Sequence, residues 1–216
     1  LKRINPTIEE DTIKEIVKTL RQDYTGTDIV DTNYKLYRQI RNHRKITIRR
    51  NGKEDFDFVK LIDFEHPENN TFTAVSQMWI QGKVYYRRPD ILIFVNGMPL
   101  VFIELKNSIV KVEEAYNKNL KDYIRDIPNL FAFNQICVLS NGLETKLGAF
   151  NATYDYFFEW LKVDSEKEKL DREAILAADH VKDSSVRYFV DGLLNKKRLI
   201  DYIENFILFE NQRIKI

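Results

Sequence analysis

The segment ILIFVNGMPLVFIELK, residues 91 to 106, limits the fold more than any other part of the chain. Two apolar runs flank an Asn96-Gly97 turn signal, and strands without polar alternation are strands covered on both faces. Such a hairpin needs structure above and below it, so it marks the centre of a sheet flanked by helices. The chain has 216 residues, 44% of them hydrophobic, enough for one substantial core.

The flanking pattern completes that architecture. Residues 7 to 21 carry Ile13, Ile16, Val17 and Leu20 at helical spacing, with Thr7 as the expected N-cap. A second helix is expected over 31 to 42, opening at Asp31. Beyond it the period changes to two through KITIRRNGKEDFDFV, with a hairpin turn at Asn51-Gly52, and TFTAVSQMWIQGKVYYRRPD continues in extended structure. Val112, Ala115, Tyr116, Leu120, Tyr123 and Ile124 share one side of a helix that Pro128 stops. Strands follow near 133–140 and 145–150. The charged run 164–173 reads as a solvated face or linker, and 184–204 as helical before the strand-like FILFE. The expectation is an α/β (α+β) fold with a mixed central sheet: a helical entry at 1–43, a core at 44–163 and a helical extension at 164–216.

Composition removes several functions. Basic and acidic residues nearly cancel, 34 against 33, so any nucleic-acid surface is a local patch. One cysteine, Cys137, sits in an apolar run and reads as a buried reduced thiol, which suits a cytoplasmic protein. His43, His66 and His180 are scattered, without the spacing of a zinc site. No stretch approaches the roughly 18 apolar residues of a membrane span. There is no G-x-x-x-x-G-K-S/T loop, so this chain is not expected to bind ATP. Starting at Leu1 and ending on strand-like NQRIKI, it reads as a piece of a larger protein.

Chemistry concentrates at the ends of the apolar hairpin. Asp90, Glu104 and Lys106 are ionisable groups beside apolar strands, and such groups cost several kcal/mol unless paired or metal-bound. Alternation puts Glu104 and Lys106 on one face. A two-residue loop at Asn96-Gly97 would pair 90 with 103 and set Asp90 on the other face; a three-residue loop centred on Gly97, or a bulge, pairs 90 with 104. The second register is the expected one. Two converging carboxylates suit Mg²⁺. Lys106 would orient or deprotonate a water, or neutralise transition-state charge. Isolated Glu-x-Lys pairs are commonly surface ion pairs, so spacing alone does not establish a site.

The wider wording RRPDILIFVNGMPLVFIELKNS resembles the nuclease domain of the R subunit of type I restriction endonucleases, members of the PD-(D/E)xK nucleases. The resemblance continues through VKLIDFEHPENNTFTAVSQ, AYNKNLKDYIRDIPNLFAFNQICVLSNG and KKRLIDYIENFILFE. It implies a restriction-endonuclease-like core with Asp90 as first acid, Glu104 as second, Lys106 as the lysine, and Mg²⁺ as cofactor. It further implies double-stranded DNA as substrate, modification and specificity subunits as partners, and ATP bound only by motor domains of the parent. The family often has a glutamine four residues before a helical tyrosine; here Asn119 precedes Tyr123 at that distance. Asn119 and Tyr123 are therefore candidate DNA contacts, with a core tyrosine and a solvated asparagine as the alternative.

Arg87 and Arg88 stand directly before Asp90 and are candidate phosphate contacts. Arg38, Arg41, Arg44, Lys45, Arg49 and Arg50 form a second basic stretch, read for Arg38 and Arg41 as a solvated helix face. Most aromatic residues lie in apolar runs and are expected in the core. The competing function is a catalytically silent nucleic-acid-binding or scaffolding module with the same fold.

Overall fold

A computed structural model describes residues 1–50, 52–160, 185–210 and 213–216, without the side chain of Arg50. Its centre is a six-stranded mixed sheet, built from β3 (Phe72–Ser76), β6 (Ile91–Val95), β7 (Met98–Leu105), β8 (Ile136–Ser140), β9 (Thr145–Gly148) and β10 (Phe158–Glu159). The strand order is β10-β9-β8-β7-β6-β3. Only β7 and β8 are parallel; their neighbours pair antiparallel. Among the described residues, three two-stranded ribbons accompany the sheet: β1 (Arg44–Arg50) with β2 (Lys53–Val59), β4 (Ile80–Gln81) with β5 (Tyr86–Arg87), and β11 (Leu208–Glu210) with β12 (Arg213–Lys215).

The unbroken apolar runs do occupy the middle of the sheet. Leu92, Val101, Phe102, Ile136 and Leu139 are fully buried, and each such side chain contributes about 1.5–3 kcal/mol relative to exposure. One face of the sheet carries Phe102 against Tyr123, with ring centroids 5.6 Å apart. Tyr123 belongs to a helical segment that runs α3 (Val112–Glu114), a π turn (Ala115–Leu120) and α4 (Lys121–Asp126). The other face packs Ile91, Ile93, Ile103 and Val138 near Val186, Phe189 and Val190 of α5 (Ser185–Leu193). After α5 comes α6 (Lys196–Asn205).

Two helix starts differ from the sequence expectation. The first helix, α1, spans Glu10–Leu20 rather than opening at Thr7, and no side chain caps it. Ile8 is buried and its N–H donates to the Asn5 carbonyl, so residues before Glu10 are held in a turn against the core. The second, α2 (Ile29–Arg41), begins before Asp31 because Asp28 is the cap, accepting the N–H groups of Val30 (2.9 Å) and Asp31 (3.1 Å). The charged run 164–173 lies outside the described residues. Cys137 is buried with a free thiol. No helix among the described residues is long and apolar enough to cross a membrane.

The central hairpin differs from expectation in how it reaches its register. Val95 opposes Met98, so the turn contains two residues, Asn96 and Gly97, not three. Both have positive φ, 51° and 83°, the requirement of a two-residue turn that follows the strand twist. The extra residue is absorbed further along β7: Phe94 opposes Pro99 but Ile93 opposes Val101, leaving Leu100 as a bulge. Beyond it Leu92 opposes Phe102 and Ile91 opposes Ile103, a register that continues to 90 opposite 104. Leu100 is fully buried and its carbonyl accepts from the Gln135 N–H (2.8 Å) at the entry to β8.

Candidate active site

The hairpin ends bring Asp90, Glu104 and Lys106 together. The Leu105 N–H donates to Asp90 Oδ2 at 2.8 Å, which ties the first acid to the strand that carries the second. Lys106 Nζ donates to Glu104 Oε1 at 3.0 Å. Its own N–H goes to the Ser140 carbonyl (2.7 Å), so the lysine is anchored to β8 just past the end of β7. Glu104 is only 3% exposed. Its second oxygen, Oε2, is buried and has no hydrogen-bond partner among the described residues.

That arrangement is electrostatically unfinished. Burial raises the Glu104 pKa above the ordinary carboxylate value; the Asp90 charge adds to the rise, while Lys106 and the nearby Tyr123 hydroxyl oppose it. A single ammonium, itself 22% exposed at the side chain, cannot satisfy two carboxylates. Two acids and one orphaned buried oxygen fit a hard divalent cation that takes oxygen ligands.

Tyr123 closes the site from the helix side. Its hydroxyl donates to the Arg88 carbonyl (3.3 Å), and burial together with the Glu104 charge pushes its pKa to about 12, against a hydrogen bond with Asn119. The hydroxyl therefore stays protonated, with its one proton directed at the Arg88 carbonyl. Asn119, half-buried, lies in the π turn, where the Lys121 N–H reaches back five residues to Tyr116. Such turns insert one residue into a helix and re-aim the side chains around it. Periodicity read from sequence gave no sign of it.

The paired arginines separate. Arg87 points inward, its Nε donating to Asp126 Oδ2 (2.8 Å), with a further ion pair from its Nη2 to the same oxygen and one to Asp122 at 3.5 Å. Arg88 is exposed, its guanidinium 5.2 Å from the Trp79 ring centre. The second basic stretch lies apart from the central hairpin: Arg38 faces Tyr34 (5.8 Å), Arg41 donates to the Glu204 carbonyl (2.8 Å), and Lys45 sits over Phe56 (3.7 Å) on the β1–β2 ribbon.

A further group, Asp63, Glu65 and His66, has ligand atoms close enough to hold a cation. Sequence reading did not single it out. Asp63 is already engaged, accepting the His66 N–H (3.2 Å) and the Asn69 amide (3.0 Å), while its own N–H donates to Asn70 (2.9 Å). Burial would raise its pKa, but these hydrogen bonds and Lys60 outweigh it and hold it low. This acid organises a loop.

A mixed sheet flanked by helices, with its carboxylates at the ends of the central hairpin, is a restriction-endonuclease-like fold. The chain belongs to the type I restriction enzyme R protein N-terminus family, whose model matches residues 1–156. It is 34% identical, over 99% of its length, to the type I restriction enzyme HindI endonuclease subunit of Haemophilus influenzae, covering 20% of that protein. It is 32% identical, again over 99%, to a putative type I restriction enzyme MjaIXP endonuclease subunit of Methanocaldococcus jannaschii, covering 21%. The EcoprrI endonuclease subunit of Escherichia coli is 28% identical over 72% of the chain and is covered over 47% of its length. The chain thus spans about a fifth of the first two relatives.

Proposed function

We propose that this chain is the DNA-cutting domain of a type I restriction enzyme R subunit, hydrolysing phosphodiesters with Mg²⁺ at Asp90 and Glu104. The observation that carries the reading is the orphaned Oε2 of Glu104, buried beside a second acid and a lysine. A divalent ion held there would polarise a phosphate and lower the pKa of a bound water.

The protein groups divide the remaining work. Asp90 offers its carboxylate while the Leu105 N–H fixes its orientation. Glu104, whose Oε2 meets no donor among the described residues, would supply the second ligand. Lys106, held by Glu104 and anchored through Ser140, sits where it can orient the attacking water or balance charge developing on the phosphate. Beside Glu104, the Asn119 amide, bonded to the Tyr123 hydroxyl, is suited to a phosphate oxygen, and the hydroxyl would reach one only by leaving the Arg88 carbonyl. Arg88 is free to meet the DNA backbone, whereas Arg87 braces the segment against Asp126. DNA as substrate, and the modification and specificity subunits as companions in the parent enzyme, follow from the same reading.

Titration calorimetry with Mg²⁺, alongside cleavage by the full assembly, tests this. Asp90→Ala and Glu104→Ala should abolish metal binding and cutting, and Lys106→Ala should abolish cutting while metal still binds. ATP turnover by the assembly should persist in all three. Undiminished cleavage in any of them refutes the reading.

A further inference from the structure

The β4–β5 ribbon leads directly into Asp90, and its chemistry has no role in holding the metal. Ile80 opposes Arg87 and Gln81 opposes Tyr86. Ile80 and Arg87 turn inward, half-buried, while Trp79, Gln81, Tyr86 and Arg88 are all exposed. Strand alternation puts those four side chains on one outward face. Trp79 is 64% and Tyr86 60% exposed, and the Arg88 guanidinium lies over the Trp79 ring.

This face is held, not loose. A Cβ at Gly82 would come within 1.9 Å of the Asp126 carbonyl oxygen, so the ribbon turn lies directly against the end of α4. Arg87 clamps the same aspartate from the inner face. Large aromatic rings kept in water on a clamped element are an interaction surface.

We propose that the outward face of the β4–β5 ribbon binds nucleic acid with unstacked bases, Trp79 and Tyr86 stacking on bases while Arg88 meets the backbone. The occupant follows from charge and position. Arg87 is taken up by Asp126 and Asp122 on the inner face, but the exposed cations of residues 77 to 89 are Lys83 and Arg88, and that segment holds no acid. Rings interleaved with cations are the chemistry of single-strand binding. Arg88 is two residues from Asp90, so a strand on this face continues into the candidate metal site. The ribbon would therefore grip nucleotides next to the scissile phosphate and favour a frayed or unpaired stretch there. The placement beside a scissile phosphate rests on the nuclease reading; the binding itself does not.

The test uses this 216-residue chain in EDTA, with a labelled oligothymidylate of about 20 nucleotides and a matching duplex as probes. Fluorescence anisotropy should show tighter binding of the single strand. Trp79→Ala and Tyr86→Ala should each weaken it at least about fivefold, and Trp79→Phe should restore most of the loss. With Trp160→Phe leaving Trp79 as the one tryptophan, the oligothymidylate should quench its emission, a readout that needs no substitution on the ribbon. Equal affinity in wild type and variants, no quenching, or binding of neither probe would overturn the proposal and leave the ribbon as a face for the rest of a longer polypeptide. If Mg²⁺ fails to bind at Asp90 and Glu104 while the ribbon variants still lose oligonucleotide, the nuclease reading falls and this surface stands.

Discussion

Glu104→Gln offers a direct measure of how much folding free energy the candidate site costs. In the native protein the carboxylate is 3% exposed and one oxygen has no partner. A buried unsatisfied group costs about 1–3 kcal/mol. Glutamine keeps an acceptor for Lys106 and removes the like charge beside Asp90. Because the native pKa is raised, the folded state binds a proton more tightly than the unfolded chain. The ionised penalty is absent below the ordinary carboxylate value of 4.5 and grows as pH climbs towards the raised one. Within that window each pH unit removes up to about 1.4 kcal/mol. Urea unfolding in EDTA should therefore find the variant more stable by about 1–2 kcal/mol at pH 8, with the gap shrinking towards pH 4 and the urea dependence unchanged. Magnesium should reverse the order, adding about 2.7 kcal/mol to the wild type at 100 times its Kd and little to the variant. A variant less stable than wild type at pH 8 without metal, or a gap indifferent to pH, would refute this account.

Gly82→Ala should lower the thermal midpoint and loosen the β4–β5 ribbon, because the added methyl meets a backbone oxygen that cannot withdraw cheaply; an unchanged midpoint would show that α4 yields. Asp28→Ala should cost about 1 kcal/mol in urea by removing both hydrogen bonds at the start of α2. Burial raises the Cys137 thiol well above its usual value, so it should resist a thiol reagent at pH 8 and react at the rate of global unfolding; rapid labelling of native protein would contradict its place in β8.

The centre of the fold was legible because unbroken apolar runs of strand length allow little else. Glu104 and Lys106 could be placed on one face by alternation alone. The position of Asp90 could not, because it depends on one residue between turn and strand end. The sequence allowed that residue in the turn or in a bulge; it lies at Leu100, where the Gln135 N–H takes the carbonyl freed from the ladder. Helix starts were misplaced for a related reason. Thr7 and Asp31 are good caps by type, but Ile8 and Asp28 decide, through burial and through hydrogen bonds actually made. The division of Arg87 from Arg88 depends on Asp126, 39 positions away in sequence. The outward rings of the β4–β5 ribbon escaped a reading in which aromatic residues default to the core, since a strand pair this short has no room to show its alternation.

The bulge at Leu100 isolates the hairpin tip from the carboxylates. Its carbonyl is bonded to Gln135 at the entry to β8 rather than to β6, so moving the bulge along β7 would have to break that bond as well as the pairs between β6 and β7. Disturbance at Asn96 or Gly97 can therefore fray the last pairs, Val95 with Met98 and Phe94 with Pro99, and stop there. The alignment of the two acids is thus held on the far side of the bulge from the turn, and it would survive a damaged tip.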